Sequence, residues 1–313
     1  MSGYQEIHAG VTCIDVGYVR PGFAAAWLIR EGERAVFVET GPLPSVPGLL
    51  EALRASGLSP EAVEAVIVTH VHLDHAGGAG ELLRHLPNAR LLAHPAGMAH
   101  LTDPSRLIAG SMEVYGEALF LDTLAGAVPV DPARIDAVRD GECFRLGGRP
   151  LTMIHTPGHC LNHLCVWDEV SRCLFSGDAC GIAYPECTVG DRPFLFPAST
   201  PTQFDPEAYV ASLRRLAALR PAWLCLTHFG PLPWSDALAG DLEEMVSRYR
   251  DLAISLDESL PPEAWTTALT ALTQARSMEL GGTEQAMAWL QGDMTLNAQG
   301  LAAWKKRMTR QGK

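Results

Sequence analysis

The sequence predicts an α/β fold in which two packed sheets lie between outer helices, an αββα sandwich, followed by a helical extension. Short runs rich in β-branched and aromatic residues recur between residues 11 and 227, separated by Gly, Pro and charged turns. Helical periodicity accompanies these runs in both halves of that region, which indicates layered sheets and helices. From about residue 234 to the end, the periodicity is wholly helical.

Composition bounds the class of protein and its partners. With 313 residues and 47% hydrophobic content, the chain can bury a full core. A formal net charge of −12 repels phosphate backbones, so we expect a small-molecule substrate and no nucleic acid. The sequence opens without a signal-peptide pattern, and no apolar run approaches the roughly 18 to 20 residues that cross a bilayer. We therefore expect a cytoplasmic protein without a membrane partner.

The eight cysteines are scattered along the chain. None of them belongs to a C-x-x-C pair, so the sequence indicates neither a thiolate zinc site nor a redox dithiol. We expect most of them to be small core residues in a reducing compartment.

The first half of the chain begins with strands and then alternates helices with strands. Three expected antiparallel strands cover residues 11–19, 24–30 and 34–40. The period then changes, and it predicts a helix over 45–56, a strand over 63–69, a helix over 76–86 and a strand over 89–94.

The second half repeats this mixture after a helical stretch over residues 96–127. Short strands are expected over 135–180, and a helix over 206–219 is expected to start with Asp205 as N-cap and Pro206 at its first position. A strand over 222–227 follows. These elements predict a catalytic domain over residues 1–233 and a helical extension over 234–313.

A long aperiodic segment lies between Gly181 and Asp205 and contains four prolines, among them Pro201. Loops of this length inside compact domains are uncommon and often functional. Its aromatic residues Tyr184, Phe194 and Phe196 are therefore candidates for a substrate pocket wall. The alternative is that they pack against the prolines of the same segment.

The stretch T-H-V-H-L-D-H places His70, His72, Asp74 and His75 within six residues, directly after an apolar strand. Successive strand residues point to opposite faces, so these side chains can converge only from a turn, which Gly77-Gly78 would allow to close tightly. Three imidazoles and a carboxylate packed together without a cation would cost desolvation and charge repulsion. The motif therefore indicates a metal site that suits Zn²⁺, with Fe or Mn as alternatives.

Three later residues occupy similar places. His159 lies in T-P-G-H, Asp178 in S-G-D and His228 in T-H-F-G, and each follows an apolar strand by one to a few residues. Strand ends can gather at one edge of a layered sheet, where α/β folds assemble sites.

Together these motifs resemble the metallo-β-lactamase superfamily over roughly residues 10–230. The resemblance implies a four-layer αββα sandwich with a dinuclear metal site and hydrolysis by a metal-bridging hydroxide. The implied ligands are His70, His72 and His159 for the first metal, Asp74, His75 and His228 for the second, and Asp178 as the bridge. Asp74 and Asp178 would also act in catalysis.

Within that superfamily, the sequence favours a hydrolase of a small-molecule ester, thioester or lactone, similar to glyoxalase II or acyl-homoserine lactonases. A mononuclear iron dioxygenase of the persulfide dioxygenase type, using the equivalents of His70, His159 and Asp178, is the alternative. A binding protein that keeps the site without turnover is a third hypothesis. For a thiol carrier such as glutathione, the tail lacks a basic cluster until Lys305-Lys306-Arg307.

Other residues carry weaker signals. His163 is a candidate substrate or support residue, or else a structural histidine at the start of the next strand. Tyr115 could donate to a substrate carbonyl from the helical stretch, although such a residue is more often core. His94 and His155 could orient metal ligands. Apolar surface on the tail helices could serve a homodimer or cover the sandwich.

Overall fold

A computed structural model describes residues 3–199 and 203–312 of the chain. The chain divides into two compact units. The first unit comprises the described residues of Met1–His155, Leu164–Gly177 and Pro221–Pro233. The second unit comprises those of Thr156–His163, Asp178–Arg220 and Trp234–Lys313. The division into a catalytic domain and an extension at residue 233 stays a prediction.

Both sheets belong to the first unit. Within the described residues, the first sheet has seven strands in sequential order, antiparallel from the first to the fourth and parallel from there on. Its strands are β1 (Tyr4–His8), β2 (Val11–Asp15), β3 (Ala25–Glu31), β4 (Arg34–Val38), β5 (Val63–Ile67), β6 (Arg90–Ala93) and β7 (Ile135–Ala137). The sequence pattern missed β1, which has no buried residue.

The second sheet is also mixed. Its six strands in the described part of the chain are β8 (Cys143–Leu146), β9 (Arg149–His155), β10 (Leu164–Asp168), β11 (Cys173–Gly177), β12 (Trp223–Leu226) and β13 (Gly230–Pro233). They lie in the order 13-12-11-10-9-8, and only the pairing of β11 with β12 is parallel.

The strands of the first sheet bury both of their faces. In β3, Trp27 and Ile29 pack into a core shared with the second sheet, whereas Leu28 packs into a core shared with outer helices. The Trp27 ring meets Phe175 of β11 edge-on, with centroids 5.6 Å apart. This two-sided burial explains why β3 reads as a nearly continuous apolar run rather than as an alternating one.

The helices of the first unit cover the outer face of the first sheet. They are α1 (Val46–Ala55), α2 (Leu73–Ala76), α3 (Ala79–His85), α4 (Met98–Thr102), α5 (Ser105–Tyr115) and α6 (Glu117–Thr123). Leu49 and Leu53 of α1 and Leu82 of α3 lie in the same core as Leu28. The helix predicted over 76–86 is shorter than expected, because α3 covers only Ala79–His85. The helical stretch over 96–127 consists of several short helices.

The second unit is built from helices and loops. Its helices are α7 (Pro206–Ala217), α8 (Asp236–Ser255), α9 (Pro262–Glu279), α10 (Glu284–Met287) and α11 (Gln291–Arg310). Asp205 caps α7 as predicted, because its Oδ1 accepts a hydrogen bond from the backbone N–H of Ala208 at 2.9 Å. Trp265 of α9 and Trp304 of α11 are buried where these helices pack together, so the helical periodicity of the tail is confirmed.

The cysteines are free thiols, and most of them are buried. None of the eight cysteines, all of which lie in the described residues, forms a disulfide, and seven of them are buried. Burial raises the pKa of the Cys13 thiol to about 12.

Over residues 3–199 and 203–312, no helix combines the length and apolar character needed to span a membrane.

Candidate metal centre

The histidine motif extends from a loop into the first turn of a helix. His70 and His72 follow β5 in the loop, whereas Asp74 and His75 lie on α2. The expectation that a loop alone would hold all four residues is therefore wrong. The backbone N–H groups of His75 and Ala76 both donate to the carbonyl of His72, and this helical turn places the Asp74 and His75 side chains.

The two glycines after the motif allow the close approach that the sequence predicted. A Cβ on Gly77 would lie 2.3 Å from the carbonyl oxygen of Leu73, which no side chain could tolerate without displacement. The N–H of Gly78 donates to the carbonyl of Gly41 at 2.9 Å, and a Cβ there would lie 3.1 Å from the carbonyl oxygen of Thr40. The chain after β4 therefore lies directly against the motif.

Asp74, His75 and His228 converge within the first unit. One ligand atom from each lies within 4.8 Å of the other two. Asp74 Oδ2 lies 3.2 Å from His228 Nε2 and 3.7 Å from His75 Nε2. Two imidazole nitrogens and a carboxylate oxygen at these separations form a donor set that suits a divalent cation such as Zn²⁺.

His70 and His72 form a second pair in the same unit. His70 Nε2 and His72 Nδ1 lie 2.7 Å apart, a separation at which the two nitrogens can share a proton or face one cation. Burial lowers the pKa of His72 to about 4, Asp74 opposes this shift, and His75 adds to it. His72 is therefore neutral at physiological pH, the state in which an imidazole binds a metal.

The outward nitrogens of His75 and His228 are tied to acceptors. His75 Nδ1 lies 2.9 Å from the Glu39 carboxylate, and His228 Nδ1 lies 3.0 Å from the carbonyl oxygen of Phe23. Neither acceptor has a proton to give, so each Nδ1 carries the hydrogen and each Nε2 carries the lone pair. Metal-binding histidines are commonly held in this way.

Glu39 extends the same support to His70. Its carboxylate accepts from the Thr69 hydroxyl at 2.5 Å and from the Thr69 N–H at 3.2 Å. Because that hydroxyl donates to Glu39, its oxygen accepts from His70 Nδ1, which lies 3.0 Å away. One buried carboxylate therefore fixes the tautomers of two histidines.

Glu39 is a site residue that the sequence motifs do not single out, although a signal for it is present. It directly follows the apolar strand β4 in V-F-V-E-T-G, and His159, Asp178 and His228 likewise follow their strands by one to four residues. A carboxylate that is 1% exposed needs partners, and here it has Thr69, His75 and Thr227. These contacts indicate that it supports the histidines.

Burial alone would raise the pKa of the Asp74 carboxyl. His75 and His228, together with His72, outweigh burial and hold that pKa well below its usual range. Asp74 is therefore an ionised carboxylate, as a cation ligand requires.

His159 and Asp178 lie together in the second unit. His159 Nε2 is 3.3 Å from Asp178 Oδ2, and His159 Nδ1 donates to the carbonyl oxygen of Ala198 at 2.8 Å. His159 therefore carries a hydrogen on Nδ1, as His75 and His228 do, and its Nε2 faces a carboxylate.

Helix α7 donates hydrogen bonds to the backbone segments that carry His159 and Asp178. The Tyr209 hydroxyl donates to the carbonyl of Asp178, and the Ser212 hydroxyl donates to the carbonyl of Pro157, each at 2.6 Å. A Cβ on Gly158, whose φ is +142°, would lie 2.3 Å from the Cα of Tyr209. The glycine of T-P-G-H is therefore required for the helix to approach this loop.

The proposed substrate residues have varied surroundings. Tyr115, at the end of α5, is half-buried and packs against the outer core of the first unit. Tyr184, Phe194 and Phe196 are at most 2% exposed, and the Tyr184 hydroxyl donates to Asp293 at 3.1 Å. This burial favours the packing alternative, and a pocket-wall role stays a prediction. Pro201 of the same segment lies outside the described residues.

Two further expectations concern histidines and the basic tail. His94 and His155 contact each other in the first unit, with ring centroids 4.1 Å apart, and their role as supports of metal ligands stays a prediction.

In the tail, Lys305 donates to the carbonyls of Ile254 and Leu256, and Arg307 donates to that of Phe204. Two of the three basic groups thus serve the packing of the second unit.

The fold and these clustered donors define the class of protein. A family model described as the metallo-beta-lactamase superfamily matches residues 19–228, and the chain belongs to this superfamily. The predicted α/β sandwich of metallo-β-lactamase type with C-terminal helices is confirmed.

Two relatives with named activities match about half of this chain. The chain is 31% identical over 188 residues to the human acyl-coenzyme A thioesterase MBLAC2, covering 56% of this chain and 65% of that protein. It is 33% identical over 153 residues to the hydroxyacylglutathione hydrolase of Salmonella typhi, covering 49% of this chain and 45% of that protein. The chain thus spans less than two thirds of the length of either relative.

Solved structures support the fold. A metallo-beta-lactamase superfamily protein from Sulfolobus tokodaii, ST1585, superposes with a TM-score of 0.65 at 21% identity, over 93% of this chain and 98% of that one. The metallo-beta-lactamase family protein TTHA1429 from Thermus thermophilus gives a TM-score of 0.62 at 19% identity, over 97% of this chain and 94% of that one. These likenesses concern the fold alone.

Proposed function

We propose that this protein is a metal-dependent hydrolase of a small-molecule thioester. The observation that carries the proposal is that the Nδ1 atoms of four histidines each lie 2.8–3.0 Å from an oxygen acceptor. These histidines are His70, His75, His159 and His228. In each of them Nδ1 donates to its acceptor, and Nε2 is the nitrogen left to bind a metal. Structural histidines have no reason to adopt one common tautomer, whereas metal ligands do.

We assign two divalent cations to the predicted ligand sets. His70, His72 and His159 would hold one cation, and Asp74, His75 and His228 the other. Asp178 would bridge them. We expect Zn²⁺, with Fe or Mn as alternatives, because neutral imidazole and carboxylate donors suit all three.

The chemistry follows from what such cations supply and from what the chain holds in place. When bound, divalent cations of this kind lower the pKa of a coordinated water and polarise a carbonyl oxygen. The chain itself keeps Asp74 ionised and His72 neutral. Glu39 and the carbonyls of Phe23 and Ala198 hold the ring orientations, so that the ligands need little rearrangement when metal binds.

The choice of a thioester rests on the relatives. One is named an acyl-coenzyme A thioesterase and the other a hydroxyacylglutathione hydrolase, and both names describe cleavage of an acyl group from a thiol carrier. Oxygen esters and lactones react by the same acyl chemistry and remain the second substrate class. Lys305 and Arg307 are bound to backbone carbonyls, so they give no support to a particular carrier.

The iron dioxygenase hypothesis is less well supported. It requires one cation and gives no metal-binding role to Asp74, His75 and His228. Their ligand atoms nevertheless lie within 4.8 Å of one another, which favours a second cation.

Metal analysis combined with an activity panel tests the proposal. We expect about two Zn²⁺ per chain after reconstitution and hydrolysis of acyl-CoA or S-acylglutathione that a chelator abolishes and Zn²⁺ restores. One Fe per chain with oxygen uptake would support the dioxygenase. Full metal loading without turnover of thioesters, esters, lactones or phosphodiesters would support a binding protein.

A further inference from the structure

The C-terminal helix α11 holds the loop that contacts His159. Asn297 of α11 is 4% exposed and makes three hydrogen bonds to that loop. Its Nδ2 donates to the carbonyl of Pro197 at 2.9 Å, and its Oδ1 accepts from the N–H of Ser199 at 2.7 Å. Its backbone carbonyl accepts from the Ser199 hydroxyl at 3.0 Å.

These bonds fix the peptide groups on both sides of Ala198. The carboxamide donates through Nδ2 to a backbone carbonyl on one side and accepts through Oδ1 from a backbone N–H on the other. Between them lies the Ala198 carbonyl, the acceptor for His159 Nδ1 at 2.8 Å. All of these groups are buried in the second unit, where a polar group left without a partner destabilises the fold.

We propose that Asn297 is a positioning residue for His159. By holding residues 197–199, it keeps the Ala198 carbonyl where it accepts the hydrogen of His159 Nδ1 and so fixes the ring with Nε2 on the side of Asp178. The effect on metal rests on the proposed function, in which His159 is a ligand. This assignment gives the tail a role in ligand orientation that the sequence left open.

Asn297→Asp is the sharpest test, because it keeps the shape of the side chain and removes the donor. A carboxylate would then face the Pro197 carbonyl, two acceptors would oppose each other, and the loop would shift. Asn297→Ala removes both side-chain bonds, and Ser199→Ala removes only the hydroxyl bond and serves as a milder variant if the others fold poorly. Asp293→Ala is the matched control, because Asp293 lies one turn earlier on α11 and binds Tyr184 instead.

The first readout is the His159 tautomer in metal-free protein, measured by long-range ¹⁵N–¹H spectra of labelled histidine. We expect the Nδ1–H form in the parent protein and in Asp293→Ala, and a mixture of tautomers in Asn297→Asp. The second readout is Zn²⁺ affinity by chelator competition, which should fall about 10- to 100-fold in Asn297→Asp and less in Ser199→Ala.

The tautomer readout separates this proposal from the proposed function. An unchanged tautomer and unchanged Zn²⁺ affinity in both Asn297 variants would overturn the positioning role, even if the parent protein hydrolyses thioesters. A changed tautomer in a protein that binds no metal would support the contact network and overturn the proposed function. An equal response in Asp293→Ala would show a general loss of packing and overturn the positioning role.

Discussion

The backbone N–H of Asp178 donates a hydrogen bond to Nε2 of His163 at 3.2 Å. Because Nε2 accepts, the proton of the neutral ring is on Nδ1, which donates to the Thr156 hydroxyl at 2.8 Å. His163 is fully buried, and its ring lies edge-on to His159 with centroids 5.9 Å apart. His163 therefore connects the loop that carries His159 with the turn that carries Asp178.

Replacing His163 should affect the chemical step more than substrate binding. His163→Phe keeps the ring volume but removes both hydrogen bonds, so the Asp178 turn would lose a fixed support. We expect kcat to fall about 10- to 100-fold with KM nearly unchanged, measured on metal-saturated protein with a thioester. A selective rise in KM would instead indicate direct substrate contact, and parental kinetics would indicate that the ring only fills space.

Glu39 provides a comparable test in the first unit. Glu39→Gln is nearly isosteric, but its amide group has one acceptor where the carboxylate uses two oxygens. We expect the affinity for the more weakly held Zn²⁺ to fall about 10- to 100-fold, measured by chelator competition. Glu31→Gln, at an exposed strand end, is the control. Equal Zn²⁺ affinities in the two variants would remove Glu39 from the support of His75.

Removing the charge of the expected bridge should be more damaging. We expect Asp178→Asn to lower thioesterase activity by several orders of magnitude, because an amide oxygen binds and joins two cations far less strongly than a carboxylate. The measurement is kcat at saturating Zn²⁺, with metal content determined on the same sample. Turnover close to the parental value in a metal-replete sample would contradict the assignment of Asp178.

His228 tests the second ligand set by itself. His228→Ala removes one of three converging donors in the first unit, and the neighbouring Asp74 would lose its 3.2 Å partner. We expect metal content to fall by about one equivalent, measured by elemental analysis after dialysis against limiting Zn²⁺. Loss of both equivalents or of neither would show that the two ligand sets are wrongly divided.

The parts of this protein that follow from the sequence are those with a local signature. The seven residues of T-H-V-H-L-D-H follow an apolar strand closely, so the position of the motif after β5 could be predicted from the chain itself. The supporting bonds have no such signature. Glu39 and His75 are 36 positions apart, and Asn297 and Ser199 are 98 apart, so only the folded chain brings them together. The sequence predicts a turn for Asp74 and His75, because a helix of four residues is too short to show a period.

The His94 and His155 pair predicts a loss of stability in acid. Burial lowers the pKa of His94 to about 4, and the adjacent His155 lowers it further. The Ala96 N–H donates to His94 Nδ1 at 3.1 Å, a bond that requires this nitrogen to be unprotonated. Because the pKa in the folded state is below the ordinary value near 6.5, the unfolded chain binds the proton more readily.

The stabilising effect is therefore fully present above about pH 6.5 and declines as the pH falls toward 4. His94 is partly exposed, so solvent screening limits the effect to on the order of 1 kcal/mol. We expect His94→Gln to reduce the acid dependence of the unfolding free energy by that amount, measured by urea titration of metal-free protein so that ligand protonation does not contribute. His8→Gln, on the exposed strand β1, is the control. Identical pH profiles for His94→Gln and the parent protein would show that His94 is protonated equally in the folded and unfolded chains.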